Sequence, residues 1–229
     1  MGLSQMMKSL VAATVLAGAL LGAAPSQAGV MQVTMWQQFA SNNIGDAEEQ
    51  ALPTNPIAGG TPVANFLYSG AINWLQSGAP NTLSAFVATG GGIVSNCVGT
   101  ACASSSSLGN VVLSTGGFGT TSLFRIIFST DGAVSGNIVH DDGISVYGAS
   151  GQILNSSFPT SAVTSLLNIA SAGTYTLWYV EANGSPSVLN IDTRITEHSR
   201  VPEPGALAMV AVALLSIFGF GMYRRRFND

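Results

Sequence analysis

The sequence predicts an all-β domain, an antiparallel β-sandwich of jelly-roll or related type, with a signal peptide before it and a single transmembrane helix after it. Three observations carry this. Short runs of Val, Ile, Leu, Phe and Tyr are punctuated by Gly, Ser and Thr, the composition of strands joined by tight turns. Several of those runs alternate with a period of two, which divides the side chains between the two faces of a strand. Helical periodicity is weak throughout the central region, and many short strands with glycine-rich turns argue for a sandwich.

Residues 1–28 have the layout of a secretory signal peptide. Lys8 supplies the positive start, residues 10–22 are apolar or small, Pro25 breaks any helix, and Ser26-Gln27-Ala28 fits a signal-peptidase site. The expected mature start is Gly29. A plain N-terminal anchor is the rival reading; the apolar run is short for one and ends in a cleavage pattern.

Residues 29–197 are expected to form the exported domain, long enough to bury a core. The clearest strand is 189–195, where Leu189, Ile191, Thr193 and Ile195 alternate with Asn190, Asp192 and Arg194. Phe124, Ile126 and Phe128 alternate in the same way, as do Tyr175, Leu177 and Tyr179. Further strands are expected at 30–39, 64–75, 83–89, 111–114, 137–140 and 144–147. The segment 161–169 is the best helical stretch and fits a strand equally well. Cys97 and Cys102 are the only cysteines; in an exported chain, in a loop of Gly and Ser, their expected role is a disulfide. A metal pair or redox motif would favour C-x-x-C spacing.

Charge removes one class of function. Between positions 29 and 200 there are three arginines, no lysine and nine acidic residues, a balance of −6. Binding a nucleic-acid backbone needs clustered Lys or Arg, so a nucleic-acid partner is excluded. Disorder fits poorly with a chain that is 47% hydrophobic and 8% charged. Catalytic signatures are also missing: the sequence has no G-x-S-x-G, no H-E-x-x-H and no P-loop. His140 and His198 are the only histidines. Asp131 and Asp142 are one carboxylate pair that a glycosidase could be imagined to use. The expectation is no enzyme.

One constellation has chemical content, His140-Asp141-Asp142-Gly143 between two strands. A solvated turn, with Asp favoured by its own backbone hydrogen bonds, has the first claim on it. The second reading is a cation site. Adjacent carboxylates raise each other's pKa unless a cation neutralises them, and calcium accepts oxygen ligands from irregular loops. From Asp141-Asp142-Gly143 and the strand after it, through Gly173-Thr174-Tyr175, to Glu181-Ala182-Asn183-Gly184, residues 124–195 resemble the PA14-like family of β-sandwich domains. In sugar-binding members an Asp pair joined by a cis peptide, and a later Asn, hold calcium, which in turn holds sugar hydroxyls. The resemblance implies Asp141 and Asp142 as the pair and Asn183 as the third ligand, with Asn190 a rival. No other cofactor is expected.

The C-terminal 29 residues carry the most specific pattern. Pro202, Glu203 and Pro204, after Val201, close a linker over 198–204. Residues 205–223 then run 19 positions without a charge, and as a helix would reach roughly 28 Å, enough to cross a hydrocarbon core. Arg224, Arg225 and Arg226, in the 224–229 tail, would stop transfer and mark the cytoplasmic end. A plain C-terminal anchor would show the same span and arginines. This order of motif, span and arginines resembles the PEP-CTERM sorting signal of Gram-negative bacteria. The resemblance implies that an exosortase recognises Pro202, Glu203 and Pro204 and releases the chain from its helix. The implied partners are the Sec translocon, signal peptidase, exosortase and the inner membrane, with exopolysaccharide at the destination. The expected product is a non-catalytic cell-surface or extracellular matrix protein, of biofilm type. The alternatives are a calcium-dependent carbohydrate-binding, adhesin-like module and, remotely, an envelope polysaccharide hydrolase. Ice binding is more remote still, because a flat ice-facing sheet would want regular Thr-x-Thr ladders and none is present.

Overall fold

The computed structural model describes residues 29–39 and 45–192. The expected signal peptide (1–28), Pro202, Glu203 and Pro204, the span 205–223 and Arg224, Arg225 and Arg226 lie outside the described residues. Among the described residues no helix is long and apolar enough to cross a membrane.

The chain opens with β1 (Val30–Phe39), β2 (Ala64–Ser69) and β3 (Asn73–Gln76), followed by the one α-helix described, α1 (Leu83–Ala88). Next come β4 (Ile93–Val98), β5 (Cys102–Ser104), β6 (Ser107–Leu108) and β7 (Thr120–Thr130). The last part holds β8 (Val134–Asp141), β9 (Ile144–Gly148), β10 (Gly151–Ser156) and β11 (Val163–Ile169). It closes with β12 (Gly173–Glu181) and β13 (Ser187–Asp192). A seven-stranded sheet has the order β10-β9-β12-β7-β1-β2-β4, and a four-stranded sheet the order β11-β8-β13-β3. Every strand pairing in these two sheets is antiparallel.

The core lies between the sheets and follows the period of two. Met31, Val33 and Met35 of β1, Phe124, Ile126 and Phe128 of β7, and Tyr175, Leu177 and Tyr179 of β12 are buried in it. Register aligns them: Phe124 lies opposite both Met35 and Tyr179, and Ile126 opposite Leu177. Ile138, Leu167, Ile169, Leu189 and Ile191 supply the facing side from the four-stranded sheet. A smaller apolar cluster of Trp36, Leu123, Trp178 and Val180 with Ala51 and Ile57 covers the other face of the large sheet. That second cover explains why β7 reads as buried on both faces rather than as a clean alternation.

The structure departs from expectation at three places and resolves a fourth that was open. Residues 83–89 are not a strand: α1 occupies them, because Leu83, Phe86 and Val87, the buried positions, have the i, i+3, i+4 spacing of one helical face. Segment 111–114 forms only a single bridge, Val112 with Thr82. The run 64–75 is two strands in different sheets, since the chain crosses over between Ser69 and Asn73. The ambiguous 161–169 resolves as strand β11, with Leu167 and Ile169 buried and Leu166 and Asn168 exposed.

Cys97 and Cys102 form the expected disulfide, tying β4 to β5 with Cα atoms 5.8 Å apart. Closing so short a loop restricts the unfolded chain by only about 2 kcal/mol. Cys97→Ser/Cys102→Ser is therefore expected to fold and to lose about 2 kcal/mol of stability in urea titration; loss of the folded state would show that the bridge organises the sheet edge instead.

Candidate functional site

Three connections cross from one sheet to the other at the same end of the sandwich. They are β8 to β9 (142–143), β10 to β11 (157–162) and β12 to β13 (182–186). The registers Val163 with His140, Val188 with Asp141, and Tyr179 with Ile144 bring them together. They enclose a cleft of about 300 Å³ lined by Asp141, Asp142, Thr160, Ser161, Ala162, Asn183, Gly184, Ser185 and Pro186. The three residues implied by resemblance thus share one cleft. Asn190, the rival, pairs with Val139 and Asn73 inside the small sheet and is not part of the lining.

Asp141 and Asp142 are not solvated turn residues. They are only 8% and 2% exposed, and the peptide bond between them is cis. The Asp142 carboxylate is oriented by backbone: Oδ2 accepts from the N–H of Ala182 (2.8 Å) and of Asn183 (3.2 Å), and Oδ1 from that of Thr160 (3.2 Å). One carboxylate therefore joins all three crossovers. Gly143 follows because there is no room for a side chain, as a Cβ there would sit 2.2 Å from the Ser157 carbonyl oxygen. Gly184, at φ +93°, turns the chain directly after Asn183 in a conformation that glycine adopts without penalty.

Burial dominates the electrostatics. It pushes Asp141 from the ordinary 3.8 to about 6, with the neighbouring Asp142 charge adding to the rise and the Ala162 N–H opposing it. Asp142 is also raised by burial, against the pull of its three N–H donors. Among the described residues the one Lys or Arg is Arg125, and its guanidinium lies 5.4 Å from the Trp36 ring of the smaller cluster. Among the described residues no cationic side chain lines the cleft to compensate the acids.

Beneath the cleft lies a polar network that sequence reasoning missed. Glu181, 1% exposed, has its Oε1 2.6 Å from Ser114 Oγ and 3.4 Å from Asn81 Nδ2, and its Oε2 2.7 Å from the Tyr179 hydroxyl. That hydroxyl is also 2.5 Å from the Asp141 carbonyl oxygen. The Tyr179 hydroxyl is the donor to both oxygens, so its one proton is shared between the Asp141 carbonyl and Glu181 Oε2. Burial, reinforced by the Asp142 charge, holds Glu181 well above the usual carboxylate range, against the pull of its bonds from Ser114 and Tyr179. The signal was present in β12: continuing the inward series Tyr175, Leu177, Tyr179 by two places arrives at Glu181.

The other acid–base candidates do not assemble. His140 is buried, with Nδ1 2.5 Å from the Asp142 carbonyl oxygen and Nε2 2.8 Å from Ser165 Oγ. Burial lowers its pKa, partly opposed by the Asp142 bond. Asp131 lies beyond the start of β8 and Asp142 beyond its end; eight extended residues span about 26 Å, too far to flank one glycosidic bond.

The donors fit calcium. Two carboxylates and an amide side chain offer oxygen ligands on irregular loops, with no cationic side chain among the described lining residues, and a calcium ion takes 6–8 oxygens without demanding rigid geometry. Asp142 retains lone-pair capacity after its three N–H bonds, since a carboxylate has about four acceptor sites.

No family model matches the chain, and no curated protein matches it. Among solved structures it is similar to a PA14 sugar-binding domain from an RTX adhesin, at 11% identity and a TM-score of 0.47, over 73% of this chain and 96% of that one. It is also similar to the PA14 domain of the MpAFP antifreeze protein, at 13% identity and a TM-score of 0.47, over 77% of this chain and 88% of that one.

Proposed function

We propose that the exported domain is a calcium-dependent carbohydrate-binding module of adhesin type, acting by binding rather than by catalysis. The observation that carries this is the meeting of Asp141, Asp142 and Asn183 on one uncompensated, oxygen-rich cleft. Asp141 lines the cleft from the end of β8, Asp142 is aimed by the backbone of the other two crossovers, and Asn183 lines the same cleft from the turn before Gly184. Bound calcium would supply open coordination positions for neighbouring hydroxyls of a sugar ring. Ser161, also in the lining, adds a neutral hydroxyl suited to a polyhydroxyl ligand, and Ser185, whose Oγ donates to the Gly78 carbonyl oxygen, adds an acceptor.

The two ends of the chain supply the address. Delivery through the Sec translocon, signal-peptidase cleavage before Gly29 and exosortase processing at Pro202-Glu203-Pro204 would place this module in the exopolysaccharide matrix or on the cell surface. This reading makes the matrix role and the lectin role one function, sugar binding within a sugar matrix. A glycan array probed with the protein in calcium and again in chelator tests it. Calcium-dependent binding is expected; a flat array in both conditions would contradict it.

The raised acids also set a pH dependence. Asp141, Asp142 and Glu181 are each harder to ionise in the folded chain than in the unfolded one. The folded state then holds more protons above the ordinary carboxylate pKa, and stability falls as pH rises. His140, with its lowered pKa, works the other way below the imidazole range, one group against three. In chelator, calorimetry is expected to show a falling melting temperature from about pH 5 to about pH 7.5. Calcium is expected to abolish the fall, because it favours the ionised carboxylates. A melting temperature that rises over that window in chelator would contradict the burial of these acids.

A further inference from the structure

We propose that Glu181 is the positioning residue of the cleft: its carboxyl fixes the Asp141 backbone on one side and the Asn183–Gly184 turn on the other, without itself touching the ligand. This rests on the reading that the cleft binds calcium. The connections are direct. Toward β8, Glu181 meets Tyr179, whose hydroxyl donates to the Asp141 carbonyl oxygen at 2.5 Å. Toward the β12–β13 crossover, Glu181 meets Ser114, whose Oγ accepts from the Gly184 N–H at 2.9 Å. Asn81 closes the second side, its Nδ2 donating to the Gly184 carbonyl oxygen at 2.9 Å and to Ser187 Oγ at 2.8 Å. Asp141 and the Asn183–Gly184 turn are about forty residues apart in sequence, and both are tied through this one side chain.

Such a group acts through hydrogen bonds, so shape and donor pattern matter more than charge. Glutamine keeps the shape and the acceptor for Ser114, and its amide meets the Tyr179 oxygen as a donor, which leaves the phenol proton to the Asp141 carbonyl oxygen. Alanine removes both. Partners that orient ligand-bearing groups commonly change metal affinity by about 10–100-fold when deleted.

The test is calcium titration calorimetry on the full chain in detergent, for wild type, Glu181→Ala, Glu181→Gln and Tyr179→Phe. Leu167→Ala, a fully buried β11 position outside the cleft lining, controls for general destabilisation. Glu181→Ala is expected to bind calcium about 10-fold or more weakly and Glu181→Gln to restore binding to within about 3-fold of wild type. Tyr179→Phe is expected to weaken it by a smaller factor, and supplies the answer if Glu181→Ala does not fold. Leu167→Ala is expected to bind as wild type does while melting earlier. The proposal is overturned if Glu181→Ala or Tyr179→Phe binds like wild type, if Glu181→Gln is as weak as alanine, or if Leu167→Ala loses as much affinity. Wild type that takes up no calcium overturns the cation reading itself; wild type that binds while Glu181→Ala binds equally overturns only the positioning role.

Discussion

Asp142→Ala is expected to abolish detectable calcium binding, a loss on the order of 100-fold or more, because calcium affinity is set largely by the number of charged ligands and the rigidity of their site. Asp142 supplies both. Its carboxylate is one of two charges on the cleft, and its bonds to Thr160, Ala182 and Asn183 hold the three crossovers in register. Alanine leaves those N–H groups without their acceptor at a partly dry site, where each unmet group costs about 1–3 kcal/mol. Part of that loss is offset, because removing the carboxyl also removes the burial penalty that raises its pKa. The two contributions separate with Asp142→Asn. Asparagine keeps the acceptor for Ala182 and Asn183, sets an amide N–H against that of Thr160 and removes the charge, so the variant should lose about one such bond of stability, far less than alanine, and still lose most of its calcium affinity. An Asp142→Asn protein with wild-type affinity would show that the carboxylate is a structural staple only.

Phe86→Ala is expected to cost about 3–5 kcal/mol, the usual range for deleting a fully buried aromatic ring. Phe86 is the ring of α1 that enters the core. It lies 5.7 Å from Trp74 of β3, 6.3 Å from Phe124 of β7 and 6.0 Å from Tyr179 of β12, so it touches strands of both sheets at once. Removing it opens a void between the sheets that neighbouring rings cannot fill without leaving their own contacts. Urea unfolding followed by tryptophan fluorescence measures the cost. Because Tyr179 also forms the floor under Asp141, calcium affinity should fall as well. A cost below about 1 kcal/mol would mean that α1 is an appendage rather than part of the core.

These residues also show where the sequence was legible. Strands β1, β7, β9 and β12 could be read because their inward positions carry large apolar side chains at every second place. Helix α1 could not, since six residues give fewer than two turns of periodicity and Phe86-Val87 suits a strand equally well. The Asp141-Asp142-Gly143 run stood out because adjacent acids are electrostatically awkward, whereas Asn183 entered only through the resemblance, with Asn190 as its rival. Thr160, Ala162 and Ala182 were not, since each contributes a backbone N–H and any residue but proline has one. The Asn81–Ser114–Glu181 network was hidden for another reason. Asn81 and Glu181 lie a hundred positions apart, and only the folded topology brings them to one place.

The most direct test of the account is long-wavelength anomalous diffraction from crystals grown in calcium. The expected result is a peak in the cleft within about 2.3–2.6 Å of carboxylate oxygens of Asp141 and Asp142, with the Asn183 side-chain oxygen in the same shell. Crystals saturated with calcium that show no peak there, with both carboxylates ordered, would contradict it.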